Sequence, residues 1–231
     1  MSCIRSIADL IYYNPIPKDE DKIVLRNAQQ KEVLKYFRPA GGCIGKLFFK
    51  SMSDEKYQEL LAAEVAKIDK QKALDKLGLD ESQVNEIEPI HFEGYYYSQD
   101  QQWITETKWV KKLVKQVSSA YEITWIFFGD TQLYVYKYLL NMDRDEKKET
   151  TDEYFYKDIT NFSTTTDTVQ KDTLISEGGC LKPDKWEMKN INMNRFQISV
   201  MGDKFYCSVE QNDYTENAIK GMKAKLREKK V

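Results

Sequence analysis

The residues most able to do chemistry in this chain are few and scattered. Gly41-Gly-Cys-Ile-Gly45-Lys46 has the composition of a phosphate-cradling loop. Such a loop needs four residues between its glycines, and a hydroxyl residue after the lysine to meet a metal ion. Here three residues separate Gly41 from Gly45, and Leu47 follows the lysine, so a turn between helices is the better reading. His91 is the single histidine, in Pro89-Ile-His-Phe-Glu93. A lone imidazole does acid–base work only with partners that the fold supplies. Glu88 and Glu93 are five positions apart, an odd offset that places them on opposite faces of an extended segment. Asp143-Arg-Asp-Glu146 carries carboxylates but lacks the glycine and the twelfth-position glutamate of a calcium loop; it reads as a solvated hairpin turn. The four cysteines, Cys3, Cys43, Cys180 and Cys207, form no closely spaced pair, so neither a zinc site nor a disulfide framework is indicated. No catalytic, cofactor-binding or metal-ligating residue is nominated.

Two groups remain as candidate interaction surfaces. Lys108, Lys111, Lys112 and Lys115 form a basic cluster suited to an anionic ligand or a membrane surface. Tyr134, Tyr136 and Tyr138 share one face of a strand, and Tyr95–Tyr97 add further aromatics. Aromatic rows flanked by lysines can stack bases. They also pack well in ordinary sheets, which is the reading we favour.

The chain's 231 residues fit one large domain or a domain with a substantial appendage. Hydrophobic residues make up 41% and charged residues 31%, enough for a real core. The net charge of −2 disfavours a nucleic-acid partner. No apolar run is long enough to span a bilayer, and the first residues lack a signal-peptide core. A cytoplasmic location is the expectation.

Residues 1–86 read as a helical region. Asn27 and Gln30 make a capping box, Val33, Leu34 and Phe37 share a face, and Pro39 ends that helix. Ser53 caps a longer helix with Tyr57, Leu60, Leu61, Val65 and Ile68 in one stripe. Leu74 and Leu77 fall on another face, so that helix either meets two partners, with self-association one option, or breaks near Asp69. Gly78 suits its C-terminal end.

From residue 87 to 231 the period is that of strands. Tyr121, Ile123, Trp125 and Phe127 alternate with Glu122 and Thr124 before a turn at Gly129-Asp130. Leu133 and Val135 oppose the three tyrosines. Tyr154–Ile159 reads as a further strand, continuing weakly to Thr166, and 167–192 as a polar excursion. Phe196, Ile198 and Val200 pair with Phe205, Cys207 and Val209 across Gly202-Asp203. An amphipathic helix over 213–230 closes the chain, with Ile219, Met222 and Leu226 on its apolar face. Thr107–Val117 has helical spacing, but its place between strands favours an extended segment and a turn.

This order of elements resembles a bacterial pleckstrin-homology-like (PH-like) domain. The residues that carry the likeness are Trp125-Ile-Phe-Phe-Gly-Asp-Thr-Gln-Leu-Tyr-Val-Tyr136, Tyr154-Phe-Tyr-Lys-Asp-Ile-Thr-Asn161, Phe205 and the closing helix. The resemblance covers about residues 87–231, by motif order. It implies an α+β fold: a helical N-terminal region, then an antiparallel bent sheet or partly open barrel capped by the C-terminal helix. It further implies a non-catalytic interaction or scaffold module with a protein partner or self-association, no cofactor, and lipid contact as an alternative. The lysine and arginine spacing of phosphoinositide-binding members is absent, so that ligand does not carry over. An enzyme of unknown class is the second alternative.

Overall fold

A computed structural model describes residues 26–39, 51–84, 87–98, 104–176, 178 and 182–229. The phosphate-loop-like segment 41–46, Cys3, Cys43, Cys180, Lys230 and the extreme N-terminus lie outside the described residues. The fold is α+β.

Helix α1 (Ala28–Phe37) begins at the expected capping box: the Asn27 side chain accepts from the Gln30 N–H, and the Gln30 side chain accepts from the Asn27 N–H. Tyr36, rather than Leu34, joins Val33 and Phe37 in the core. Helix α2 (Asp54–Val65) is capped by Ser53, and helix α3 (Lys70–Leu77) by Asp69. The break near Asp69 thus resolves the two apolar stripes. It turns Leu74 onto the same core as Tyr57 and Leu61. Gly78 ends α3 at φ 67°, a conformation that glycine adopts without steric penalty.

The first sheet joins β1 (Ile90–Tyr96), β4 (Ala120–Phe128), β5 (Gln132–Asn141) and β6 (Lys147–Phe155) in that order, all antiparallel. The second has the order β3 (Lys115–Ser118), β2 (Thr107–Val110), β7 (Ile159–Ser176), β8 (Lys185–Val200), β9 (Asp203–Ser208). Only β2 and β7 run parallel, meeting at Lys108 and Leu174. The two sheets stay separate and do not close into a barrel.

Two cores result. One lies between the N-terminal helices and the first sheet, formed by Val33, Tyr36, Phe37, Tyr57, Leu61, Leu74, Ile123, Phe127 and Tyr136. The other lies between the two sheets and is covered by helix α4 (Asp213–Lys229), which buries Ile219, Met222 and Leu226 against Phe92, Ile126, Val135, Phe162 and Phe196. The change of period near residue 87 therefore marks a change of secondary structure within a shared core. Sandwiching buries β4 on both faces. Glu122 is buried as a consequence, and its carboxylate accepts the Ser208 N–H.

Three expectations require correction. The polar stretch 167–192 is mostly strand: β7 and β8 pair from Ile159–Val200 out to Ser176–Lys185. Its threonines and asparagines bond across the strands, Thr166 to Asn194 and Thr168 to Asn192 at 3.0 Å. Only Val169, Leu174, Ile191 and Met193 are buried apolar residues there, and polar residues fill most of the remaining positions, so the apolar alternation that announces the strands is weak. Tyr154–Ile159 is not one strand, because Tyr156–Asp158 turn between β6 and β7. The Asp143–Glu146 turn is not simply solvated, since Asp143 and Arg144 are buried. The extended reading of 107–117 and the pairing of Phe196 with Cys207 and Ile198 with Phe205 match the structure. No helix among the described residues is long and apolar enough to cross a membrane.

Candidate functional site

The β2–β3 hairpin carries the four candidate lysines, but the fold separates them. Lys108 points inward: its side chain is 12% exposed, with Nζ 4.0 Å from the centre of the Tyr36 ring and 3.9 Å from Asp54 Oδ1. Lys112 pairs with Glu55 on α2, and its hydrogen bond pulls the Glu55 carboxyl down to about 2. Lys115 reaches Glu210 at 3.1 Å, beyond β9. Three lysines therefore meet three different carboxylates, so no single basic pocket forms. Lys111 stands exposed in the turn.

The sequence reading missed what lies between these lysines. Leu113 is 44% and Val114 74% exposed, at the tip of the hairpin. Val114 adopts φ 51°, the one positive φ among the described non-glycine residues. A β-branched residue is disfavoured there, at about 1–2 kcal/mol. Two aliphatic side chains are thus held in solvent by a strained turn, flanked by Lys111, Lys112 and Lys115. In the sequence, Val110, Leu113, Val114 and Val117 look like one helical stripe; the hairpin instead buries Val110 and Val117 and exposes the middle pair.

The tyrosine row offers no open aromatic platform. Tyr136 is fully buried, Tyr138 nearly so, and Tyr134 packs partly buried against the helix-facing core. The helices that cover this face were legible, but their position over it was not. Tyr136 donates to Glu149, and the Lys72 ammonium lies 4.6 Å from the Tyr138 ring centre.

His91 stacks on Trp125 with ring centres 4.4 Å apart, and burial pushes its pKa down. Its Nε2 is 3.8 Å from a Glu93 carboxylate oxygen. Glu93 is itself pushed up by burial and by the nearby Glu210. His91 and Glu93 sit on β1 at the margin of the helix-covered face.

The seam between the helices and the first sheet holds a cavity of about 330 Å3. The start of α1, the α2–α3 junction and the β5–β6 turn line it, with Lys67, Lys72, Tyr138, Arg144 and Lys147 among the contributors. A second hollow, about 320 Å3, lies where α4 meets the segment before β1, near Pro89, Phe128, Tyr214 and Met222.

No protein-family model, curated protein or solved structure matches this chain.

Proposed function

We propose that this chain is a non-catalytic interaction module of PH-like architecture that meets its partner through the tip of the β2–β3 hairpin. Setting that hairpin aside, the remaining strands form a four-stranded meander and a three-stranded meander, followed by a helix. That succession supports the PH-like reading. Side chains fill the space between the sheets, which leaves recognition to outer surfaces. The observation that carries the functional reading is the exposed Leu113–Val114 pair on a strained turn. Backbone strain of this kind concentrates where a structure holds a functional element in place.

The flanking lysines favour an anionic bilayer as the surface met. An aliphatic side chain gains about 1.5–3 kcal/mol on full burial, and a lysine about 1 kcal/mol beside an anionic leaflet. Two such aliphatic side chains with the exposed Lys111 support weak, reversible attachment. Sedimentation with phosphatidylserine vesicles tests this. The chain pellets with them, remains in the supernatant with phosphatidylcholine vesicles, and is released by high salt. Failure to pellet with anionic vesicles leaves a protein partner, or a second copy detected by light scattering, as the occupant of the tip.

A further inference from the structure

We infer that the cavity between the helices and the first sheet is a binding site for a small oxyanion-bearing ligand, a phosphate ester or a polycarboxylate, held by Arg144 with Lys67, Lys72 and Lys147. The site is distinct from the hairpin tip and does not depend on the function proposed for it.

The Asp143 side chain, beside the cavity-lining Arg144, is fully buried. It meets two guanidinium groups: Arg26 at 3.1 Å, and Arg144 at 3.4 Å. Arg26 also donates to the Asp143 carbonyl oxygen at 2.8 Å, so it is the better-seated partner. Arg144 has a side chain only 3% exposed, a 3.4 Å contact with the shared carboxylate and a 4.0 Å approach to Glu146. Its Nε is buried and has no hydrogen-bond partner, and neither have Asp143 Oδ1 and Glu146 Oε2. A guanidinium has five N–H donors in a planar fork suited to oxyanions. Burying one with so few donors used is costly, and an acceptor bound in the cavity offsets that cost.

Arg144 lines the cavity, whereas Asp143 and Glu146 do not. The charged lining is Lys67, Lys72, Arg144 and Lys147 against Glu64 and Asp145, four cations to two anions. The lysines have partners, but loosely held ones: Lys72 to Glu149 at 3.7 Å and Lys147 to Asp145 at 3.8 Å. Lys67 pairs more closely with Glu64 at 2.6 Å, with its side chain mostly exposed. Exposed pairs contribute little, so an incoming anion can replace them. Asn27, Gln29 and Gln30 bring the N-terminal end of α1 to the same cavity, and the helix dipole there adds partial positive charge. The volume suits a small ligand.

Isothermal titration of the intact chain with inorganic pyrophosphate and with citrate, at fixed ionic strength, tests the site. At least one of them binds the native chain, and the K67A/K147A variant binds it about tenfold or more weakly. K204A/K220A removes the same charge from exposed positions away from the cavity and leaves the affinity unchanged. Pyrophosphate alone binding assigns phosphate chemistry; citrate alone assigns carboxylate chemistry; both binding assigns a general oxyanion site. R144Q abolishes binding if it remains folded by circular dichroism; if it unfolds, the rim variant decides. No binding of either anion to the native chain, or equal affinity in the rim variant and the native chain, overturns the assignment. Vesicle binding through the hairpin tip would survive that failure.

Discussion

The Tyr57 hydroxyl donates to the Ser118 carbonyl oxygen at 2.6 Å, entirely within the core. This bond joins α2 to β3, so the helical layer and the proposed contact hairpin are held by one another. Tyr57 also stacks on Tyr36 at 4.7 Å and meets Phe37 edge-on at 5.2 Å. Tyr57→Phe keeps the ring contacts and removes the only donor on that ring. Leaving a buried carbonyl without this donor costs about 1–3 kcal/mol. Urea unfolding should show a lower midpoint with an unchanged slope.

Half-buried Arg38 pairs with the buried Glu106 at 2.7 Å and ties the end of α1 to the approach to β2. Burial pushes the Glu106 pKa up while Arg38 opposes the shift. Arg38→Met strands the carboxylate and should destabilise the fold by about 3 kcal/mol. Adding Glu106→Gln removes the stranded charge and recovers part of the loss. A double-mutant cycle in urea checks both statements.

Glu93 is pushed up by burial and then by Glu210. A carboxyl whose folded pKa is raised holds its proton more tightly in the native state, so its contribution to stability is complete below the unfolded pKa. That contribution declines as pH rises from about 4.5 through the folded value. Glu93→Gln resembles the protonated side chain and cannot ionise. Its melting temperature should match the native chain's near pH 4 and exceed it at about pH 7. An equal difference at both pH values would contradict the cause given.

Met222 is almost wholly buried beneath α4, in the core between the sheets. Met222→Ala opens a cavity there and should cost about 2–5 kcal/mol. Lys220→Ala, on the solvent-facing side of the same helix, should stay within about 0.5 kcal/mol of the native chain. Equal small effects at both positions would mean that α4 does not seal the core.

The elements that carry strong apolar periodicity were legible. Asn27 with Gln30, the Phe196–Cys207 pairing, the two faces of β5 and the buried stripe Ile219, Met222 and Leu226 all follow from spacing and capping chemistry. Where polar residues form structure, spacing says little. The Thr166–Asn194 and Thr168–Asn192 pairs hold a long hairpin with only a few buried apolar residues, Val169, Leu174, Ile191 and Met193, to reveal it. Arg144 reads as a solvated turn residue until α1 folds over it and Arg26 takes up Asp143. The lysines at 108–115 were visible as charges. Their separation depends on Asp54, Glu55 and Glu210, which are remote in sequence. The exposed Leu113 and Val114 were hidden by a helical spacing that the hairpin does not use.

The most direct test of the account replaces the tip alone. Leu113→Asp with Val114→Asp changes two exposed side chains and leaves every buried contact intact, so circular dichroism should match the native chain. With phosphatidylserine vesicles, the native chain should sediment and this variant should remain in the supernatant. Sedimentation of both to the same extent, or of neither, would contradict membrane contact through the hairpin tip.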